Sequence, residues 1–294
     1  MAEPKEIWPT DEISAAVVDM TQKVSEEPDA YLHFLQLQAH HPQYTADTLL
    51  WLMAKEPDDQ VFRTVPEWNE HGRFVKPGEK GIPLERGMVR LLDHDGWTNP
   101  NMEWVFAAKQ TWAKESIPPE PEQRLSGQRL EMGLRTLLEL SPVEVKIDTG
   151  ASSSEIRYDP ERKEILLPQG IGAEEAFRGL VREILQARMD MEMDEGYRRE
   201  IFQQDAECLS WMMCQRYGLP CPEPDLSRLA QNNAPWNTEE RNSCLTSISW
   251  LYSGMEKNVS REVNIQKSVR QKIGQAMGTN EPGQGKSKAL VQTR

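Results

Sequence analysis

The 294-residue chain lacks the long apolar segments of membrane proteins and the cysteine spacing of disulfide frameworks. No stretch approaches the roughly 18 consecutive apolar residues that a transmembrane helix requires. The first residues show neither the basic start nor the apolar stretch of a secretory signal. The four cysteines, Cys208, Cys214, Cys221 and Cys244, include no CxxC pair. We therefore expect a cytoplasmic protein with reduced thiols and no membrane contact.

Histidine is scarce as well, since the chain has five and none follows His94. His40 and His41 are adjacent, so their rings point to different faces of a helix and make a poor metal pair. The acidic run at 190–195 lacks the spaced oxygen ligands of a calcium loop. Nucleophile-elbow, Walker and dinucleotide motifs are absent too. The sequence therefore predicts no metal and no other cofactor.

Positive charge is in short supply, and the net charge of −13 argues against a general nucleic-acid binder. Residues 61–90 are the exception, because six basic residues minus four acidic ones give +2 there. The rest of the chain then sums to −15. This contrast allows a locally positive face on an acidic protein, and an ordinary mixed surface explains it equally well.

Hydrophobic periodicity and turn residues predict an α+β fold. Helical patterns fill residues 11–41 and 46–56, and short strands follow between Gly72, Gly78 and Gly81. A second α+β region has a hairpin around Asp159-Pro160 and becomes mostly helical towards its end. The predicted organisation is a first module at 1–115, a Pro- and Glu-rich linker at 116–128, a second module at 129–276 and a disordered tail at 277–294.

Two stretches together resemble one family. The first runs from "PQYTADTLLWLMAKE" through "GRFVKPGEKGI", and "VFAAKQTW" ends the same region. The second is "IRYDPERKEILLPQGIGAEEAFRGLVREILQAR", followed by "DAECLSWMMCQRYGL". Residues 25–255 are similar to ArdC-type antirestriction proteins and their LtrC-like relatives on conjugative elements. The resemblance implies an N-terminal domain that binds single-stranded DNA and a C-terminal zincin-like metallopeptidase domain.

The first of these domains would carry the nucleic-acid site. Arg73, Lys76 and Lys80 surround a Gly-rich turn where cations can approach phosphates, and Trp68 and Phe74 offer faces for base stacking. Trp51 is a further stacking candidate. The alternative is that these aromatic residues belong to a core and that the turn is only structural. Asp47 stands where relatives have asparagine, which weakens the resemblance at that point.

The second domain has lost the residues of a zinc site. In catalytic relatives an HExxH helix supplies two zinc-binding histidines and a glutamate that acts as general base. Aligned on this motif, Arg182 and Gln186 occupy the histidine positions and Glu183 is retained as a vestigial catalytic residue. Asp205 and Glu207 stand in the acidic segment of the next helix. A guanidinium has no lone pair for a metal, so we expect no bound zinc and a pseudoenzyme in which Arg182 pairs with Asp205 or Glu207.

Three functions remain open at this stage. The first is a non-catalytic single-stranded-DNA-binding accessory protein of a mobile genetic element, in antirestriction or conjugation. The second is an acidic protein-interaction or DNA-mimic protein without DNA binding, whose acidic surface meets a protein partner. The third is an active metallopeptidase with unusual ligands, supported only by Glu183 and the acidic segment. The oligomeric state is not fixed by the sequence.

Overall fold

The structure is a computed structural model that describes residues 10–85, 102–113, 124–148, 155–193 and 196–276. Three helices open the described chain: α1 (Thr10–Glu26), α2 (Pro28–His40) and α3 (Ala46–Lys55). Helix α2 begins at a proline, which is favourable because the first helical N–H needs no partner. Helix α3 begins after Thr45, whose side chain accepts a hydrogen bond from the N–H of Thr48 at 3.3 Å. The predicted helical start is confirmed.

Short strands follow, as the glycine spacing predicts. Their order is β1 (Phe62–Thr64), helix α4 (Val65–Glu70), β2 (Arg73–Val75), β3 (Ile82–Glu85), β4 (Met102–Ala107), a 3-10 turn (Ala108–Gln110) and β5 (Thr111–Ala113). Strands β1, β4 and β3 form an antiparallel sheet in that spatial order. Strands β2 and β5 form a separate antiparallel pair, which we call the ribbon. Helix α4, which the sequence analysis did not predict, separates the first two strands, because Thr64 and Glu67 make a capping box before Trp68.

The remaining elements build the second region. They are α5 (Gln128–Leu140), β6 (Glu144–Asp148), β7 (Arg157–Asp159), β8 (Glu164–Pro168), α6 (Ala173–Glu192), α7 (Arg199–Arg216), α8 (Leu229–Asn233) and α9 (Thr238–Ala276). The sheet order is β6-β8-β7, with β6 parallel and β7 antiparallel to β8, so the hairpin around Asp159-Pro160 is confirmed. Helix α6 approaches this sheet closely at Gly179, where a Cβ would lie 2.8 Å from Cδ1 of Ile156.

One buried cluster joins the first and second regions. Helix α2 packs on α7, and α1 and α3 pack on α9. The phenol of Tyr252 in α9 donates a hydrogen bond to the carbonyl oxygen of Ala39 at 3.0 Å. Hydrophobic residues of α2, α3, α6, α7 and α9 belong to the same core. The N-terminal helices are thus anchored on the second region, and the ribbon and its neighbouring sheet lie beyond them in the sequence.

The α+β class is confirmed, with small sheets and a helical end. None of the described helices combines the length and the apolar character needed to cross a membrane. All four cysteines are free thiols. The module boundaries stay predictions, since most of the linker at 116–128 and the whole tail at 277–294 lie outside the described residues.

Candidate functional site

An aromatic pair stands on the surface of the ribbon. Phe74 in β2 lies directly opposite Trp112 in β5, and their ring centroids are 5.3 Å apart with the planes inclined by 39°. The two residues are 38% and 43% exposed, so the pair offers apolar ring surface to solvent. The sequence indicated Phe74, whereas Trp112 was missed as a binding residue. Only the strand register brings Trp112 opposite Phe74.

The turn between β2 and β3 carries exposed lysines. Lys76 and Lys80 both lie at the surface, on either side of Gly78, whose φ of +85° suits glycine. The ammonium group of Lys76 donates to the carbonyl oxygen of Lys109 at 2.6 Å, which keeps this charge next to the ribbon. Arg73 is tied to β5, because its Nε donates to Oγ1 of Thr111 at 2.9 Å.

Gln110 holds this turn against the ribbon from inside. The side chain is buried, and its Nε2 donates to the carbonyl oxygen of Lys80 at 2.9 Å and to Oε2 of Glu79 at 3.0 Å. Its Oε1 accepts the N–H of Ala107 at 2.8 Å. The glutamine of "VFAAKQTW" is therefore the residue that fixes the shape of the turn. Its hydrogen bond to Glu79 also engages the acidic side chain of the turn.

Two of the tryptophans predicted to stack on bases are not available for it. Trp68 is fully buried, and its indole N–H donates to the carbonyl oxygen of Phe106 at 2.9 Å. The guanidinium groups of Arg63 and Arg73 lie over its ring, at 4.9 and 5.8 Å from the centroid. Trp51 is only 2% exposed, with the ammonium of Lys55 over its ring. Both predictions are corrected, because the core takes these rings and the exposed platform is Phe74 with Trp112.

The predicted vestigial metal site contains a fully buried glutamate. Glu183 accepts hydrogen bonds from both terminal nitrogens of Arg199, at 2.7 and 2.6 Å. It also accepts from Nε of Arg182 at 2.8 Å and from the backbone N–H of Tyr158 at 2.8 Å. Four hydrogen bonds use the roughly four acceptor positions of a carboxylate. This carboxylate is therefore fully engaged by protein donors.

Gln186, four residues after Arg182, is engaged as well. It is fully buried, and its side-chain oxygen accepts from the phenol of Tyr197 at 2.8 Å. Its Nε2 donates to the carbonyl oxygen of Arg199 at 3.4 Å. Gln186 thus binds the segment that leads into α7. Within the described part of the chain, no group of three His, Cys, Asp or Glu side chains is placed to hold a metal ion.

The predicted partner of Arg182 is wrong. Besides Glu183, Arg182 donates to the carbonyl oxygen of Ile156 at 3.2 Å, and neither Asp205 nor Glu207 pairs with it in the described structure. Glu207 instead accepts from Gln203 at 2.5 Å, one helical turn away in α7. A cation does join α6 to α7, but it is Arg199 at the start of α7. No sequence motif points to Arg199, since it lies outside the HExxH pattern.

Electrostatics follow from this geometry. Burial raises the pKa of Glu183, but the hydrogen bonds and charge of Arg199, with those of Arg182 and the Tyr158 N–H, outweigh it and hold the pKa below its ordinary value of 4.5. Asp205 shows the opposite effect, since burial raises its pKa to about 6. Glu183 is therefore a stable anion inside a salt bridge, which is a poor state for a general base.

No family model matches the chain, and neither does any curated protein. The chain is similar to solved structures of the antirestriction ArdC protein from plasmid R388. The metal-free structure is 15% identical, covers 75% of this chain and 84% of its own, and has a TM-score of 0.43. The Mn(II)-bound structure is 14% identical, covers 87% and 98%, and has a TM-score of 0.44. These are the proteins that the sequence resemblance names, and we transfer no function from them at this level of similarity.

Proposed function

We propose that this chain is a non-catalytic protein that binds single-stranded DNA on the ribbon. The observation that carries the proposal is the exposed Phe74–Trp112 pair beside Lys76 and Lys80. Unpaired bases stack on aromatic side chains at about 1–3 kcal/mol per base, without strong sequence preference. The lysines lie where they would contact the phosphates of a strand whose bases rest on the pair.

The charge of the chain limits the length of this contact. At a net charge of −13, a long phosphate footprint is repelled by the rest of the surface. Lys109 adds little, because it is engaged by Glu56 and lies 3.4 Å from Asp59. We therefore expect binding of a few nucleotides with a shallow salt dependence, set by about two or three phosphate contacts.

The second region serves as a scaffold in this proposal, a pseudo-metallopeptidase domain without a metal. Its support is the engagement of Glu183 by two guanidinium groups and of Gln186 by Tyr197. A general base must take a proton from a metal-bound water, and a carboxylate with four protein donors has no position left for that water. A role in antirestriction or conjugation on a mobile element rests on the sequence resemblance alone.

Fluorescence anisotropy with a labelled single-stranded oligonucleotide tests DNA binding. Trp112→Ala should weaken binding about tenfold or more, as loss of one stacking platform predicts. Trp250→Ala is the matched control, because Trp250 is 71% exposed on α9, away from the ribbon. Lys76→Gln with Lys80→Gln should reduce the salt dependence, with Lys257→Gln as its exposed control.

Failure to bind at low salt would overturn the DNA-binding proposal. The acidic protein-interaction function would then be the better one, and the exposed Trp250 on α9 would be its first contact to test. Metal content of the purified protein tests the second part of the proposal. Zinc bound at one equivalent would refute a metal-free domain, and peptidase activity that is lost in Glu183→Gln would favour an active metallopeptidase.

A further inference from the structure

A polar cleft of about 200 Å³ lies between the first region and α7. The end of α2, strand β1, helix α4 and the end of α7 surround it, and six of its polar side chains are His40, Gln43, Arg63, Glu67, His71 and Arg216. Nitrogen-bearing side chains dominate this lining. A ligand that fits such walls presents oxygen acceptors on several sides.

The lining carries two guanidinium groups within an acidic protein. They belong to Arg63 and Arg216, and Glu67 is the one acidic residue of the lining. The carboxylate of Glu67 is held at the start of α4, where its Oε2 accepts from the N–H and the hydroxyl of Thr64 at 2.8 Å each. Glu67 and Glu256, the ion-pair partner of Arg216, balance the two arginines in charge, so protonation of His40 or His71 would make the cleft positive.

The guanidinium of Arg216 is fixed in place. Its Nε donates to Oε1 of Glu256 at 3.2 Å, and Nη1 lies 3.5 Å from the carbonyl oxygen of His40. Glu256 is buried behind it in α9. An ordered guanidinium loses little conformational freedom when an oxyanion binds, which favours binding.

The buried His41 indicates the electrostatic potential inside the cleft. Its Nε2 lies 3.2 Å from both the backbone nitrogen of Phe62 and the carbonyl oxygen of Gln60. Burial, together with the charges of His40, Arg63 and Arg216, lowers the pKa of His41 to about 3. The positive charges that disfavour a proton on His41 favour an anion in the cleft beside it.

We infer that this cleft binds a phosphate group. Phosphate offers several strong acceptor oxygens in a shape that guanidinium groups match, and the mostly polar walls give a nucleobase little to stack on. The ring nitrogen Nδ1 of His71 donates to the carbonyl oxygen of Glu67 at 2.8 Å, which turns the opposite edge of that ring away from α4. Arg63 would donate to the phosphate oxygens, and His71 would donate from Nε2 in its imidazolium form, because the Nδ1–H is already engaged.

Two ligands present this phosphate chemistry: a free phosphate ion and a phosphate group of a DNA strand. The second rests on the proposed DNA-binding function. It is supported by the two guanidinium groups next to Trp68, which lie 4.9 Å (Arg63) and 5.8 Å (Arg73) from the ring centroid. Arg63 belongs to the lining of the cleft and Arg73 to the ribbon, so both sites have a cation beside the same ring. A strand whose bases stack on Phe74 and Trp112 would reach the cleft by its terminal phosphate.

Isothermal titration of the whole protein with inorganic phosphate tests the cleft without DNA. Arg63→Gln and His71→Gln should each weaken phosphate binding about tenfold, the effect of one lost charge-assisted hydrogen bond. Arg63→Lys should restore part of the affinity, which separates charge from any loss of folding. Arg135→Gln is the control, because Arg135 is exposed on α5 and pairs only with Glu139 among described residues. Absence of phosphate binding by the wild type, or equal binding by all variants, would overturn the inference.

A second arm identifies the source. Competition between inorganic phosphate and an oligonucleotide with a 5′ phosphate, but not with a 5′ hydroxyl, would show that the cleft takes the end of a strand. Phosphate binding that neither oligonucleotide displaces would show a site for free phosphate. Both results support a phosphate site. Phosphate binding in a protein that fails to bind any oligonucleotide would refute the DNA-binding proposal and leave the cleft standing.

Discussion

Replacing Arg199 by methionine should strongly destabilise the protein, because it leaves a buried carboxylate short of its main partner. Glu183 is fully buried and receives two of its four hydrogen bonds from Arg199. Removing one partner of a buried ion pair costs about 3–5 kcal/mol. Arg182 and the Tyr158 N–H still hold Glu183 afterwards, so we expect about 3 kcal/mol. For a chain of this size that lowers Tm by about 6–12 °C.

Thermal unfolding followed by circular dichroism measures this effect, and two neighbours act as controls. Arg198→Met changes an exposed arginine of the same segment and should alter stability by about 0.5 kcal/mol or less. Arg182→Ala removes one hydrogen bond to Glu183 and one to Ile156, and should cost about 1–2 kcal/mol. The double variant Glu183→Leu with Arg199→Met should recover much of the loss, since neither buried charge remains unpaired. Equal melting temperatures for Arg199→Met and Arg198→Met would refute the reasoning.

The pH dependence of stability tests the ion pair of Glu183 and Arg199 independently. The folded pKa of Glu183 is lower than its ordinary 4.5, so the ion pair stabilises the folded state fully above that value. The stabilisation is lost as pH falls through the lower folded pKa. The gap in stability between the wild type and Arg199→Met should therefore narrow as the solution is acidified below about 4.5. A gap that widens on acidification would contradict the assignment of Glu183 as the ionised partner.

Two further predictions concern other buried titratable groups. Asp205→Asn should stabilise the protein by up to about 3 kcal/mol above pH 6, because burial raises the carboxyl pKa from 3.8 to about 6 and folding therefore disfavours the ionised form. The gain should vanish below pH 3.8, where both states are protonated, and urea unfolding across this range measures it. His41→Gln should remove a loss of stability that the wild type shows below pH 6.5, since the unfolded chain binds a proton that the folded ring, with its pKa of about 3, does not. Unfolding curves of identical pH dependence for the two proteins would contradict this.

The helices of this fold follow from local sequence, and the tryptophan environments do not. Apolar periodicity predicts the positions of α2, α3, α6 and α7, because the buried face of an amphipathic helix is recognisable from the sequence of a few turns. The strands next to Gly72 and Gly78 follow from turn chemistry. Whether an aromatic residue in such a short strand is buried depends on register and on distant partners. Trp68 is covered by Arg63 and Arg73, and the exposure of Trp112 is set by β2 across the ribbon.

The predicted vestigial site shows the same limit of sequence-based prediction, here for the partner of a buried charge rather than for the burial of an aromatic residue. The HExxH register locates Glu183, Arg182 and Gln186 correctly on one helix, because spacing along a helix fixes which side chains share a face. It contains no information about Arg199, which reaches Glu183 from the next helix across residues 193–198. A buried carboxylate must be neutralised, and burial alone would raise the pKa of Glu183. The need for a cation is thus predictable, while its identity requires the tertiary structure.

Two guanidinium groups also carry the formal charge of a divalent metal ion, and they meet Glu183 at 2.6–2.8 Å. They differ from a metal in chemistry, since a guanidinium cannot bind a water and lower its pKa. The arrangement can therefore hold α6 and α7 together as a metal bridge would, without supplying a nucleophile. That separation of the structural from the chemical role of a cation is the strongest physical support for the pseudoenzyme proposal. It predicts that chelators leave the melting temperature unchanged, whereas loss of Arg199 lowers it.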